Sequence, residues 1–206
     1  MTRMNLLRLV FMFCMVGAVY PRAFAADFPN VRDDSYTEPN GSRVLKLSVI
    51  IDAPVDKIWR LLISREGWQS WAVPVAWVEF GIGGMVETSY TATAVRGQPG
   101  NIKNAIVAYV PEQLLVLRNV QAPPNFEYAE DFGKTVTAIN LRSISKNRSQ
   151  VELDGVGFLA TPAFDTLLKR FRFGDSWTLE HLKRAAEHGP IDWAAEERSN
   201  PPKQSK

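Results

Sequence analysis

Between Trp77 and Phe158 turn signals cut the chain into short apolar segments, and at Thr161-Pro162 the pattern changes to a long helical stripe. No other feature limits the fold as much. A sheet with one apolar face, followed directly by a helix with one apolar stripe, must bury the two surfaces against each other. The segments are Trp77–Phe80, Met85–Ala94, Ile102–Val110, Leu114–Val120, Lys134–Ser145 and Gln150–Phe158. Gly81-Ile82-Gly83-Gly84, Gly97-Gln98-Pro99-Gly100, Pro111-Glu112-Gln113, Ala122-Pro123-Pro124 and Lys146-Asn147-Arg148 separate them. Short strands joined by tight turns predict an antiparallel meander. Thr161 is a helix N-cap and Pro162 fits the first helical position. Phe164, Leu167, Leu168, Phe171, Thr178 and Leu182 follow at helical spacing, Gly174 is a weak point, and Gly189-Pro190 ends the run.

Upstream, Leu45, Leu47, Val49 and Ile51 alternate with polar residues, which predicts a strand over 43–51 with one buried face. Asp52 or Ala53 caps a helix with Pro54 in its first turn, and Val55, Ile58, Trp59, Leu61 and Leu62 form its stripe. Arg65-Glu66-Gly67 breaks that helix, and Trp68-Gln69-Ser70-Trp71 starts a second short one. The predicted class is α+β in the order β-α-α-β6-α, a curved antiparallel sheet of about seven strands around a long C-terminal helix. Residues 43–188 form this domain. Residues 26–42, with Pro29, Pro39 and Asn40-Gly41, read as an extended leader, and 189–206 as a flexible tail.

The first 25 residues read as a signal peptide. Arg3 and Arg8 precede an apolar run from Leu9 to Tyr20, and Ala23-Phe24-Ala25 offers a cleavage site. Pro21-Arg22 cuts the run short of the roughly 20 residues a spanning helix needs. The expectation is an exported protein, periplasmic or secreted, with no integral membrane segment after cleavage. Removing residues 1–25 takes away three basic residues, no acid and the single cysteine, Cys14, so a net charge of +2 becomes −1. Such a balance does not supply the phosphate contacts of a dedicated nucleic-acid binder. Without thiols, and with only His181 and His188, the mature chain offers neither a thiolate zinc site nor a histidine cluster, and no cofactor is expected.

Several local motifs resemble one family. Val49-Ile50-Ile51-Asp52-Ala53-Pro54-Val55-Asp56-Lys57-Ile58-Trp59 looks like the first strand, Ala-Pro turn and tryptophan-bearing helix of the START-related helix-grip superfamily, also called SRPBCC. Trp68-Gln69-Ser70-Trp71, Gly83-Gly84, Val110-Pro111-Glu112-Gln113-Leu114, Ser176-Trp177 and Leu182-Lys183 match later parts of the pattern in order. The resemblance is to the polyketide cyclase, lipid-transport and chaperone-activator homologues, and covers about residues 43 to 188. It implies a helix-grip fold with a cavity between sheet and helix. The signal segment, the 120–134 loop and the tail depart from the pattern and put a cytosolic chaperone-activating role in doubt.

Period-two alternation turns Phe80, Thr88 and Tyr90 inward if Glu79, Glu87 and Ser89 point out, and turns Tyr109 inward with Val107. Phe164, Leu168 and Phe171 face them from the long helix, while Trp68 and Trp71 close one end. The pattern fits a filled core as well as a lined cavity; the family resemblance favours the cavity, with Thr88, Tyr90 and Tyr109 as its polar groups. No catalytic residue stands out. His188 fits a helix-capping role, and His181 is expected to face solvent. The loop with Phe126, Tyr128, Glu130, Asp131 and Phe132 reads either as a solvated acidic loop or as a flap over the cavity mouth. Three function classes follow. The first is an exported binding protein for a hydrophobic small molecule, a lipid or polyketide-like compound. The second is a cyclase or dehydratase-type enzyme using the same cavity. The third is a protein-interaction domain with outward Trp77 in its surface patch.

Overall fold

The computed structural model describes residues 28–199, so the expected signal segment lies outside the described residues. The chain is α+β, with an open antiparallel sheet of nine strands and a long helix near its C-terminus. Two short strands, β1 (Val31–Asp33) and β2 (Tyr36–Thr37), precede β3 (Arg43–Ile51). Helices α1 (Val55–Ile63) and α2 (Arg65–Trp71) follow. Then come β4 (Val75–Glu79), β5 (Met85–Ser89), β6 (Ile102–Val110) and β7 (Leu114–Gln121). A single helical turn, α3 (Ala129–Phe132), interrupts the meander before β8 (Val136–Ser145) and β9 (Arg148–Phe158). The long helix α4 (Pro162–His188) and a short α5 (Trp193–Ser199) complete the chain. The sheet order is β1-β3-β9-β8-β7-β6-β5-β4, with β2 also paired to β3. Among the described residues no helix is long and apolar enough to cross a membrane.

Alternation builds the concave wall. Leu45, Leu47, Val49 and Ile51 of β3 are all buried, as are Val151 and Leu153 of β9, Ile139 and Leu141 of β8, and Leu115 and Leu117 of β7. Helix α4 lies against this face with Phe164, Leu167, Phe171, Leu179 and Leu182 buried, and it runs through Gly174 without a break. Thr161 caps it, its side chain accepting from the Phe164 N–H at 3.4 Å. At α1 the start shifts by one residue from expectation: Pro54 is itself the N-cap, with no side-chain cap bond. Gly67 lets α2 fold back on α1, since a Cβ there would run into the Leu61 carbonyl.

The ends of the chain differ from the expected leader and tail, and the sheet exceeds seven strands for the same reason. Strands β1 and β2 pair with β3 and cover its open edge, giving those backbone groups partners. The leader also reaches α4: Phe28 packs edge-on to Phe173 at 5.2 Å, and Asn30 donates from its backbone N–H and its side chain to Glu180, both at 2.9 Å. After α4, Ile191 is buried and Trp193 Nε1 donates to the Gln69 carbonyl at 2.6 Å, so residues 191–199 dock where a loose tail was expected. The reason is aromatic: Trp193 joins Trp177 and His181 in one stack.

Candidate functional site

Strands β5 and β6 carry polar side chains among the buried residues of the sheet. On β5, Val86 and Thr88 are buried toward the helix side, opposite Val78 and Ala76 of β4. Tyr90 continues that alternation just past the strand end and is half-buried. Glu87 points to the other face as expected, yet it is only 5% exposed. The 91–101 loop folds over it, with the Gly97 N–H and the Asn101 side chain each donating to its Oε1 at 2.6 Å. This also explains why β5 ends at Ser89 and not at Ala94: residues beyond it turn back to bind Glu87.

On β6 a bulge between Ile106 and Ala108 changes the register. Ile106 and Tyr109 therefore both face in, opposite Leu117 and Leu115, while Val107 is 39% exposed. The expectation that Val107 lines the cavity with Tyr109 fails for this reason. Tyr109 instead packs on Phe80 at 4.6 Å, and both rings contact Trp59 of α1, at 6.5 and 5.9 Å. Phe80 remains 37% exposed, so it borders this cluster at the surface rather than filling a core.

Deeper along the same wall, Asn104 and Asn119 are cross-strand partners joined by a side-chain hydrogen bond. The hydroxyl of buried Thr135 donates to the Phe132 carbonyl at 2.8 Å and lies 3.3 Å from Asn119 Oδ1. None of these three stands out as a site residue in the sequence, because each directly follows a basic residue, Lys103, Arg118 or Lys134, and reads as part of a polar, outward-facing stretch.

The helix contributes Asp175. It lies four residues after Phe171 and seven before Leu182, in the centre of the stripe turned to the sheet. Its Oδ2 is closed to solvent and has no hydrogen-bond partner among the described residues. Burial pushes the carboxyl up to about 8. Tyr90 is raised as well, by burial first and then by the charge of Asp175. The helical period marks Asp175 in the sequence: it is an acid where the stripe calls for an apolar residue.

The remaining expected site residues divide. Phe164 and Phe171 are buried under α4, and Phe171 packs on Phe132 and Phe158 at 5.5 and 5.4 Å; Leu168 is partly buried beside them. The 120–134 loop brings Phe126 edge-on to Phe132 at 5.5 Å, and Arg170 lies over the rings of Tyr128 and Phe126 at 5.0 and 5.7 Å. Trp68 and Trp71 are buried 5.0 Å apart, and their indole N–H groups donate to the Leu62 and Leu61 carbonyls at 2.7 and 3.0 Å. They close the α1–α2 corner with their donors already engaged.

His181 is the clearest departure. It is 7% exposed, not solvent-facing. Its ring stacks on Trp177 at 3.6 Å and lies parallel to Trp193 at 6.2 Å. Nδ1 donates to the Trp177 carbonyl at 2.8 Å, and burial holds the imidazole below its ordinary range against the opposing pull of that carbonyl and of Glu196. Beside it, a cleft of about 330 Å³ is lined by Asn30, Glu180, His181, Lys183, Arg184, Glu187 and His188, away from the concave wall. Among the described residues no group of three or more His, Cys, Asp or Glu side chains is placed to hold a metal.

No family model matches the chain. The rRNA processing protein rcl1 of Schizosaccharomyces pombe is 30% identical over 117 residues, which are 52% of this chain and 28% of that protein. The chain thus spans little more than a quarter of that relative's length. Among solved structures, CalU16 from Micromonospora echinospora has a TM-score of 0.54 at 17% identity, covering 81% of this chain and 89% of CalU16. The conserved protein of unknown function EF2215 from Enterococcus faecalis has 0.53 at 16% identity, covering 85% and 91%. The Aha1 dimer from Colwellia psychrerythraea has 0.50 at 17% identity, covering 71% and 97%. At these identities the likeness shows a shared fold alone, an open antiparallel sheet with a long C-terminal helix, which is consistent with the helix-grip type.

Proposed function

We propose that this is an exported binding protein that holds a hydrophobic small molecule, a lipid or polyketide-like compound, between the concave sheet face and α4. The observation that carries the reading is Asp175. Buried polar atoms in folded proteins are almost always hydrogen-bonded, and a lone carboxyl oxygen sealed in an apolar stripe costs stability. Such an atom, among apolar and aromatic walls that also carry Tyr90, Thr88 and Asn104, fits the makeup of ligand sites: mostly apolar, with a few placed polar groups. A second reading, a cyclase or dehydratase-type enzyme, draws support from the same residue. A carboxyl pushed up to about 8 is a protonated acid at neutral pH and suits proton donation.

The test uses the exported protein, whose N-terminus is expected to read Ala26-Asp27-Phe28. Native mass spectrometry and a screen of fatty acids, sterols, flavonoids and aromatic polyketides are expected to find compounds that change tryptophan emission and raise Tm. Saturation at 100 times Kd corresponds to about 2.7 kcal/mol of added stability. A screen in which no compound moves emission or Tm, and no small molecule co-purifies, removes the binding reading.

A further inference from the structure

We propose that Asn104, Asn119 and Thr135 form a hydroxyl-binding row in the concave wall, the Asn104 side-chain amide hydrogen-bonding to an O–H group of an otherwise hydrophobic ligand. The proposal rests on the ligand-binding reading and deepens it. Register sets Asn104 of β6 between buried Val86 of β5 and Asn119 of β7, on the face that carries Ile106 and Leu117. Within the sheet α4 packs on β3 and β9, and β6 lies three strands beyond β9, about 14 Å along the sheet. Asn119 Nδ2 donates to Asn104 Oδ1, which leaves Asn104 Nδ2 with no hydrogen-bond partner among the described residues. That nitrogen is not sealed, unlike Asp175 Oδ2, so an inward-facing amide borders open space.

The ligand chemistry follows from the proton count of the row. Thr135 has one hydroxyl proton and two acceptors within reach, the Phe132 carbonyl at 2.8 Å and Asn119 Oδ1 at 3.3 Å. Given to Asn119, the proton fixes Asn119 Nδ2 as donor to Asn104, and Asn104 turns its N–H groups to the interior. Given to the nearer Phe132 carbonyl, it leaves Asn119 Oδ1 and Thr135 Oγ1 meeting lone pair to lone pair. A half-turn of both amides about their terminal torsions relieves this: Asn119 donates to Thr135, Asn104 donates to Asn119, and Asn104 turns its oxygen inward. The row thus offers a donor in one state and an acceptor in the other. A ketone matches only the first. A hydroxyl, donor and acceptor on a single atom, matches both. A carboxylate or an ammonium group would bring a full charge to a row of neutral groups. A ligand amide would set a second polar atom against Val86, Ile102 or Ile106, the apolar neighbours of Asn104 on that face.

Three compounds of matched size test this on the full mature chain by calorimetry. They are 1-(2-naphthyl)ethanol, 2-acetonaphthone and 2-isopropylnaphthalene, which carry a hydroxyl, a carbonyl oxygen and a methyl group at the same position. The wild type is expected to bind the alcohol roughly tenfold more tightly than the hydrocarbon, with the ketone between them. Asn104→Leu should lower alcohol affinity to that of the hydrocarbon and leave hydrocarbon binding in place. A second measurement needs no variant. In the wild type, the side-chain amide NMR signals of Asn104, assigned through its backbone, should shift further with the alcohol than with the hydrocarbon. Equal binding of alcohol and hydrocarbon by the wild type, equal shifts of the Asn104 amide, or a preference unchanged in Asn104→Leu overturns the row as a binding element and leaves the ligand site standing. A ketone bound as tightly as the alcohol, or more tightly, overturns the hydroxyl assignment. Failure of the wild type to bind any of the three overturns both readings.

Discussion

The α2 corner and the middle of α4 bury their polar atoms in opposite ways. At the corner, Trp68, Trp71 and Trp193 each aim an indole N–H at a main-chain carbonyl, of Leu62, Leu61 and Gln69, at 2.6 to 3.0 Å. These donors complete helix ends that would otherwise lack partners. In the middle of α4, Asp175 Oδ2 and the adjacent Ser176 Oγ are equally sealed from water and have no hydrogen-bond partner among the described residues. One region is arranged so that folding satisfies it; the other reaches the folded state with an acceptor left over. The difference separates a structural tryptophan pair from a site, although both look alike as buried polar residues among apolar ones.

The largest expected effect breaks the satisfied region. Trp71 is fully buried and hydrogen-bonded, so Trp71→Ala should cost about 3–5 kcal/mol in urea melts. Phe171→Ala should cost a similar amount, because Phe132 and Phe158 pack on that ring. Arg172→Ala, one residue along the helix, loses a partly exposed ion pair with Asp33 and should change stability by about 1 kcal/mol or less. Equal effects at 171 and 172 would mean that α4 presents a different face to the sheet.

The second expectation has the opposite sign. Asp175→Leu removes a sealed, unpartnered acceptor and should stabilise the protein by roughly 1–3 kcal/mol at pH 8. The pH dependence follows from linkage. The carboxyl titrates at about 8 in the fold and at 3.8 ordinarily, so unfolding releases its proton between those values. Its contribution is fully present below about pH 4 and is lost as pH rises through the folded value. Between wild type and Asp175→Leu, the stability gap should therefore widen from pH 4 to pH 8. A gap that stays constant, or a destabilised variant, would place Asp175 in a satisfied environment like that of the tryptophans.

The same contrast explains what the sequence reveals. Periodicity alone shows both faces of β3, the β7–β9 alternation and the α4 stripe, because apolar burial leaves a repeating mark. Trp68 and Trp71 were legible as buried for that reason. Their role was not, since an indole whose N–H meets a carbonyl and one that meets a ligand look identical in one dimension. Val107 was misplaced by a bulge, a single-residue event with no compositional trace. Glu87 looks solvent-facing in the sequence because the loop that covers it is distant by ten or more residues. Asp175 was legible in principle, by asking which residue breaks the stripe instead of which residues make it. The docked tail is hidden because it depends on three aromatic rings, Trp177, His181 and Trp193, that meet only in space, and the docked leader because Phe28 and Asn30 meet Phe173 and Glu180 across well over a hundred residues.

That aromatic stack gives the smallest expected effect, and it tests whether the docked tail belongs to the satisfied region. Burial keeps His181 below the ordinary histidine range, despite the Trp177 carbonyl and Glu196. A group held low in the fold contributes stability above its ordinary pKa and loses it as pH falls through the folded value. Lowering pH from neutral toward 5 should thus loosen α5 from α4, read as a change in Trp193 emission and faster proteolysis after Gly189-Pro190. His181→Phe keeps a ring between Trp177 and Trp193, whose contacts are worth about 0.5–1.5 kcal/mol, but cannot take up a proton. Arg184 and Glu196, which pair at 2.9 Å across the same junction, remain in both proteins, so the comparison isolates the imidazole. The variant should show a flat profile over the range where the wild type changes. Parallel profiles would assign any acid loosening to Glu196 and Arg184, and an NMR titration placing His181 above its ordinary range would reverse the sign.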